Sequence, residues 1–578
     1  MTSVDPAVLA ASAAHAAEFP WLRRYPAGVN WHQTFSGAPL HHLLSDAAER
    51  FGDRPAANFF GRITTYRDLH AEAEKAAAGL QRLGVTKGTK VGLLLPNSPT
   101  FIIYYYAVLM AGGTVVNYNP LYTVDELSIQ VKDSQTELMI TLDLKLLFDK
   151  VEKLISAGTL ARAVVASFPD LLPRGKAILY RLLKRGDLAR PKSSPAAPKL
   201  IFDDVVRGGG GGYQKSTIDP RDELAVLQYT GGTTGTPKGA MLTHANLSIN
   251  VQQSLAWVPD LEPGNERILA ALPFFHVFAM TGIMNLAIAC GAEIVMMPRF
   301  VLADALKLIT KTRPTMMPAV PTMLIAMLNH PKISSFDLSS LKFCLSGGAP
   351  LLLETKQRFE ALTGCSVVEG YGLSETSPAV TANPIGGPVK ELSIGQPLPA
   401  TRVSLRNPAD PLQQVPQGDK GEICVSGPQV MQGYWQKSDE TRDVFTLDGF
   451  LRTGDIATMD EDGFIYIVDR IKDLIICSGY NVYPRTLEEA ISKHAAVEEV
   501  TVIGIKDAYR GEAPKAFIKL RAGHTATSDD ILRHLEPLLS KIELPTAIEF
   551  RPELPKTLIG KLSKKELKLE EAQRQKAR

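Results

Sequence analysis

Apolar runs of strand length alternate with longer stretches of helical periodicity over the first two-thirds of the chain. Val91-Gly-Leu-Leu-Leu95 precedes a helical stretch around Thr100 to Ala111, and Thr114-Val-Val116 follows it. Similar strand-like runs recur at Leu138 to Thr141, Leu224 to Leu227, Arg267 to Leu272, Glu293 to Met297 and Lys342 to Leu345. Nearly continuous apolar strands separated by helical segments predict parallel sheets covered on both faces. After about Pro384 the pattern shortens. Val403-Ser-Leu405, Glu422-Ile-Cys-Val-Ser426 and Gly463-Phe-Ile-Tyr-Ile-Val468 read as strands of a small β subdomain. Beyond Asp469-Arg-Ile-Lys-Asp473 lie about a hundred residues of compact α+β pattern, at Leu487 to His494, Glu499 to Ile505, Ala516 to Leu520 and Asp529 to Leu539, so the last domain boundary falls there.

Two apolar stretches invite comparison with a membrane span. Phe101 to Val116 is too short and holds Gly112-Gly113, while Val277 to Ala292 is broken by Thr281, Gly282 and Asn285. Both therefore read as buried core elements. Leu171 to Lys192 differs, with Arg174, Lys176, Arg181, Lys184, Arg185, Arg190 and Lys192 among leucines, isoleucine and tyrosine. Two readings stand for it: a solvated surface helix, or a basic amphipathic stretch lying on an anionic lipid surface. Gly208 to Gly212 reads as a flexible surface insertion.

At 578 residues the chain exceeds one core, and three or four structural units are expected. Its net charge of +2 leaves no basic excess for neutralising phosphates, so no nucleic-acid partner is expected. Five scattered cysteines without C-x-x-C spacing read as reduced structural thiols, with neither zinc site nor disulfide framework. The alanine-rich start has no basic n-region, so a cytoplasmic protein is expected.

Candidate chemistry begins at Tyr229 to Ala240, where four glycines, four threonines and one lysine sit within twelve residues after an apolar strand. Unhindered glycine backbone, hydroxyls and a cation suit the oxygens of a polyphosphate. The spacing is not that of a Walker A loop, because Lys238 follows a proline and precedes Gly239. Leu345-Ser-Gly-Gly-Ala-Pro350 is a strand entering a glycine turn, and Glu369 to Thr376 combines an aromatic ring with glycines, a hydroxyl and a carboxylate. There Tyr371 offers a face for a base, and Glu375 offers oxygen for a hard cation such as Mg2+. Arg452-Thr-Gly-Asp455 sets a carboxylate in a turn, suited to two ribose hydroxyls. Ser374 lacks the final glycine of a G-x-S-x-G elbow and is no hydrolase nucleophile.

The ordered series is the glycine–threonine loop, Pro273-Phe-Phe-His276, Ser346-Gly-Gly-Ala-Pro350, Tyr371-Gly-Leu-Ser-Glu375, Thr453-Gly-Asp455, Asp469-Arg-Ile-Lys-Asp473 and Pro555-Lys-Thr-Leu-Ile-Gly-Lys561. In this series the chain resembles acyl-CoA synthetases of the adenylate-forming, AMP-binding superfamily, above all bacterial long-chain fatty-acid–CoA ligases, over roughly residues 35 to 567. The resemblance implies a multidomain α/β fold: two αβα subdomains and a β subdomain within 1–471, then a small mobile α+β domain at 472–578. It implies ATP- and CoA-dependent activation of a medium- or long-chain fatty acid through acyl-AMP, with a dicarboxylic or aryl acid as the alternative substrate.

By the same resemblance Thr230, Gly231, Gly232, Thr233, Thr234, Gly235 and Lys238 meet the β- and γ-phosphates, and Thr230 and Glu375 hold Mg2+. Gly348, Glu369, Gly370, Tyr371 and Ser374 belong to the nucleotide site, while Asp455 and Arg470 grip the ribose. The implied catalytic side chains are Lys561, bridging carboxylate and α-phosphate, Lys238, and His276, which gates or orients the acyl site or is a packed core histidine. Lys472 matches a hinge whose rotation withdraws Lys561 and brings the Gly479-Tyr480 loop to the CoA thiol. Ile476 stands where some relatives carry lysine, and Leu-Ser-Lys-Lys565 replaces their arginines. Fatty acid, ATP and CoA are the expected partners; peripheral contact with the inner membrane surface and a homodimer stay open alternatives.

Overall fold

The computed structural model describes residues 19–191, 199–230, 237–258, 260–387, 389–478, 480–507, 509–556 and 562–576. Its largest sheet has seven strands in the order 200–202, 162–166, 138–142, 90–93, 114–117, 224–230 and 238–243. All neighbours are parallel except the last pair, β1 (Leu224–Thr230) and β2 (Lys238–Thr243), which form an antiparallel hairpin. The strand feeding the glycine–threonine loop thus continues into a returning edge strand, which extends the sheet that the apolar pattern predicts.

A second sheet orders Arg267–Ala270, Glu293–Met296, Pro55–Phe59 and Arg62–Thr65, again parallel until its final pair. Single bridges through Met316 carry it to Phe343–Ser346, followed by β3 (Ser366–Gly372). Residues of both sheets, among them Val91, Leu93, Leu269 and Ile294, share one hydrophobic core. Helix Pro99–Met110 lies in that core with all twelve residues buried. Ser98 caps its first turn and Pro99 opens it, as the sterics of a helix start favour. Val277 to Ala292 is likewise buried, folded as short helices around a π-helical turn, Met280–Asn285. Both apolar stretches are core, and among the described residues no helix is long and apolar enough to cross a membrane.

The β subdomain is a five-stranded antiparallel sheet, 410–414, 402–407, 421–426, β4 (Leu451–Met459) and β5 (Ile465–Arg470). Trp21 and Trp31, far off in sequence, complete its core with Val403, Ile423 and Ile465. The short turn Ile471–Asp473 then leads into the last sheet, 480–482, 475–477, 511–520 and 497–507, with Ala547–Phe550 parallel to 511–520. Its apolar side chains from Ile475 onward form separate clusters. All five cysteines are buried free thiols, as their spacing suggests.

The basic stretch forms helix α1 (Arg174–Leu183). It lies on the surface, and its outward side chains include Ile178, Leu179, Leu182 and Leu183 beside the basic residues. Gly208 to Gly212 is exposed, as expected of a surface insertion.

Candidate functional site

A cavity of about 640 Å³ opens where the hairpin, the turns after Phe343–Ser346 and β3, and strands β4 and β5 converge. Thr230 ends β1 and Lys238 begins β2, and the ladder places them directly opposite each other. A hydroxyl and an ammonium therefore meet the cavity side by side, set by strand register. Gly231, Gly232, Thr233, Thr234 and Gly235 between them lie outside the described residues, as do Gly479 and Lys561.

Tyr434, which the sequence reading does not single out, links the two halves of this end. Its backbone bridges Ala240, and the Lys238 ammonium lies 5.1 Å from the centre of its ring. Its hydroxyl donates to Glu375 Oε1 at 2.8 Å. Burial, with the Glu375 charge beside it, pushes the phenol far above its ordinary range, so it stays a donor. The one signal for it is Gly433-Tyr434-Trp435, a glycine followed by two aromatics, which fits core packing equally well.

Asp455 on β4 and Arg470 on β5 are cross-strand partners. Arg470 Nε lies 2.9 Å from Asp455 Oδ1, and the Tyr371 hydroxyl donates to Oδ2 at 2.7 Å. The carboxylate is 4% exposed, and its charge raises the guanidinium pKa further. Each oxygen keeps a second lone pair for a further donor such as a sugar hydroxyl. Lys472 lies at the cavity wall two residues on, its pKa lowered by desolvation of the ammonium and by the Arg470 charge.

Gly348, Gly370, Tyr371, Ser374 and Glu375 all line the cavity. Gly348 has φ +81°, which favours glycine over any residue with a Cβ. Glu369 lies on β3 directly before Gly370 and Tyr371 but is not among the described residues of the cavity wall. Its Oε2 accepts from Leu351 N at 3.4 Å, and burial pushes its carboxyl up to about 7 despite the Arg485 and Lys356 charges. His276 does face the cavity; its Nδ1 accepts from Phe278 N at 3.3 Å, which leaves the proton of a neutral ring on Nε2.

Much of the remaining wall is apolar, with Trp257, Leu272, Leu286, Met316, Val320 and Leu345, and polar side chains such as Ser254, Thr281 and Asn383 stand among them. The Phe278 ring sits so close to Gly347 that a Cβ there would lie 3.2 Å from it. Lys238, Arg452, Arg470 and Lys472 are the Lys and Arg side chains of the described wall, and none belongs to the apolar segments between 254 and 345. Thr230 and Glu375 supply hard oxygen donors for Mg2+, which binds through few protein ligands and leaves its other positions to water and phosphate. The donor set fits that ion.

Outside the cavity, the residues flanking 557–561 are anchored. Lys556 and Leu562 form an antiparallel bridge, and Lys556 pairs with Glu499 at 2.7 Å.

Comparison with known proteins places this geometry. The AMP-binding enzyme model matches residues 44–435, and the AMP-binding enzyme C-terminal domain matches 486–561. A long-chain-fatty-acid–CoA ligase of Bacillus subtilis (strain 168) is 44% identical over 554 residues, covering 96% of this chain and 98% of that protein. A protein of the same name from Yersinia pestis is 38% identical over 563 residues, at 95% and 98% coverage. Among solved structures, ATP-bound MatB from Rhodopseudomonas palustris superposes with a TM-score of 0.80 at 28% identity, over 93% of this chain and 99% of that one. The anthranilate CoA ligase AuaEII in complex with anthranoyl-AMP, at 24% identity and TM-score 0.82 over 95% and 99%, shares the fold. With its larger match spanning well over half the chain and both modules in order, the chain belongs to the AMP-binding enzyme family.

Proposed function

We propose that this enzyme joins a medium- or long-chain fatty acid to coenzyme A in two ATP-dependent half-reactions. The observation that carries the reading is a single cavity with a cationic, hydroxyl-bearing end and an apolar end without Lys or Arg among its described residues. A dicarboxylic acid would leave its second carboxylate in that apolar end with no cation to offset its desolvation.

In the first step a carboxylate oxygen attacks the α-phosphorus of ATP, and pyrophosphate leaves with the bonding pair. Thr230 and Lys238 hold the departing phosphates, with the backbone N–H groups and hydroxyls of Gly231, Gly232, Thr233, Thr234 and Gly235 between them. Thr230 and Glu375 would hold Mg2+, whose charge would offset that of the phosphates. Gly348, Gly370 and Tyr371 flank the adenine, Ser374 adjoins it, and Asp455 with Arg470 holds the ribose. Two anions about 4 Å apart repel by about 4 kcal/mol at an effective dielectric constant of 20. Lys561 bridges them and removes that barrier, while His276 orients the carboxylate.

In the second step the CoA sulfur attacks the acyl carbon, loses its proton to solvent, and AMP departs. We place the boundary at 471/472, with Lys472 the pivot about which the mobile C-terminal domain exchanges Lys561 for the Gly479-Tyr480 loop. The product is a thioester of the kind that β-oxidation consumes, and the fatty acid is met at the inner face of the membrane by a peripheral, cytoplasmic enzyme.

Pyrophosphate release against fatty, dicarboxylic and aromatic acids, with and without CoA, tests the reading. Turnover on fatty acids of about C8 to C18 with little on the dicarboxylic and aromatic acids is expected. Preference for a dicarboxylic or aryl acid refutes it.

A further inference from the structure

Helix α1 is amphipathic in the reverse sense to a surface helix. Its inward face holds Ala177 and half-buried Tyr180, whose ring packs on Phe168 at 5.0 Å. Its outward face carries Ile178, Leu179, Leu182 and Leu183, between 54% and 72% exposed. At about 100° per residue these four span roughly 140° of the circumference. A solvated helix turns polar side chains outward instead.

The apolar surface extends beyond the helix. Lys176 Nζ donates to Phe60 O at 2.8 Å, tying α1 to the tip of the hairpin Pro55–Phe59 and Arg62–Thr65. On that hairpin Phe60 and Ile63 are also exposed, at 43% and 47%. Cations border the patch on both sides. Arg174 and Arg181 lie along one edge of α1 and Lys176 along the other, and Lys184 and Arg185 follow its last turn. Arg181 pairs with Asp170, whereas Arg174, Lys184 and Arg185 have no ion pair among the described residues. From 171 to 191 six Lys and Arg stand against the single carboxylate of Asp187, a local excess greater than the +2 of the whole chain.

We infer that α1 and the Phe60 hairpin tip form the surface by which this protein docks on an anionic lipid bilayer. The apolar face enters the boundary between headgroups and acyl chains while the flanking cations meet the lipid phosphates, the arrangement of an interfacial helix. A second copy of the chain is the poorer occupant, because a two-fold contact through this face would set the Arg174, Lys184 and Arg185 groups of the two copies against each other. The purpose of the contact, access to membrane-borne acyl chains, rests on the proposed fatty-acid substrate; the contact itself does not.

The test is flotation of the full chain with vesicles of phosphatidylcholine alone or with 30% phosphatidylglycerol. Binding only to the anionic vesicles is expected. Each cation contributes about fivefold near such a surface, so Lys184→Glu with Arg185→Glu lowers partitioning by at least about 25-fold at low salt. Leu182→Gln with Leu183→Gln lowers it by about tenfold at high salt as well, because apolar burial is unscreened. Both variants keep wild-type pyrophosphate release on octanoate without vesicles, so a failed substrate assignment is separable from a failed docking surface. Absence of wild-type flotation overturns the proposal, as does flotation unchanged in both variants. A monomer produced from an oligomer by Leu182→Gln with Leu183→Gln, read by light scattering, overturns it in favour of a contact between copies.

Discussion

Replacing Asp455 by asparagine isolates the charge of the buried carboxylate from its shape. The amide oxygen can still accept from Arg470 Nε and the amide nitrogen can donate to the Tyr371 hydroxyl, so the contacts at 2.9 and 2.7 Å survive without the carboxylate charge. A hydrogen bond to a charged group is worth about 1.5–3 kcal/mol and a neutral one about 0.5–1.5, so the Tyr371 contact loses about 1 kcal/mol, and the Arg470 contact, still charged on one side, loses an ion-pair attraction of about 1 kcal/mol or less. Arg470 is half exposed, and solvent screening trims the loss of folding stability to about 1–2 kcal/mol. The nucleotide loses more. An –NH2 cannot accept from a ribose hydroxyl, so one bond disappears and the other becomes neutral. Together these amount to about 3 kcal/mol, or roughly two powers of ten in KM for ATP. Initial rates of pyrophosphate release against ATP concentration give that KM, and urea unfolding followed by circular dichroism gives the stability. A KM within threefold of wild type refutes the ribose contact. A fall in kcat at unchanged KM moves Asp455 from nucleotide binding to the chemical step.

Lys561→Ala should nearly abolish acyl-AMP formation while leaving thioester formation from supplied acyl-AMP largely intact; equal loss of both half-reactions would remove the assigned role. Glu369 gives a pH signature without ligand. Its carboxyl is raised by burial from an ordinary 4.5 to about 7, so between those values the folded chain keeps a proton that the unfolded chain has released. Stability therefore falls as pH rises through that window, by about 3 kcal/mol, and is flat above it. Glu369→Gln should abolish that fall and be the more stable protein at pH 8 but not at pH 4.5; parallel urea midpoints for the two proteins at both pH values would contradict the buried carboxyl.

Local pattern made much of the molecule legible. The helix expected around Thr100 to Ala111 is Pro99–Met110, and the run Leu138 to Thr141 is a strand one residue longer. Each carries its own start signal or apolar run, so no distant contact was needed to find it. Six of the seven motifs bring described residues to one cavity, while Pro555 and Lys556 of the seventh lie outside it. The returning strand Lys238–Thr243 was hidden because the glycines and threonines before it read as open loop. Tyr434 was hidden because its role comes from Lys238 and Glu375, both far upstream in sequence. For Arg174–Leu183 periodicity revealed two unlike faces, but only the contact of Tyr180 with Phe168 decides which one turns inward.

The carboxylates on either side of the proposed pivot are not equivalent. Asp473 pairs with Lys568 at 2.8 Å, a bond wholly beyond Lys472 that would travel with the C-terminal domain. Asp469, on the near side, accepts the backbone N–H of Arg485 at 2.8 Å, a bond that spans the pivot. Rotation about Lys472 would break it and leave a mostly buried carboxylate short of one donor. At about 1.5–3 kcal/mol for a bond to a charged group, that single latch favours the arrangement seen here by roughly ten- to a hundredfold. The ligands of the second half-reaction must supply at least that much differential affinity before the other arrangement predominates.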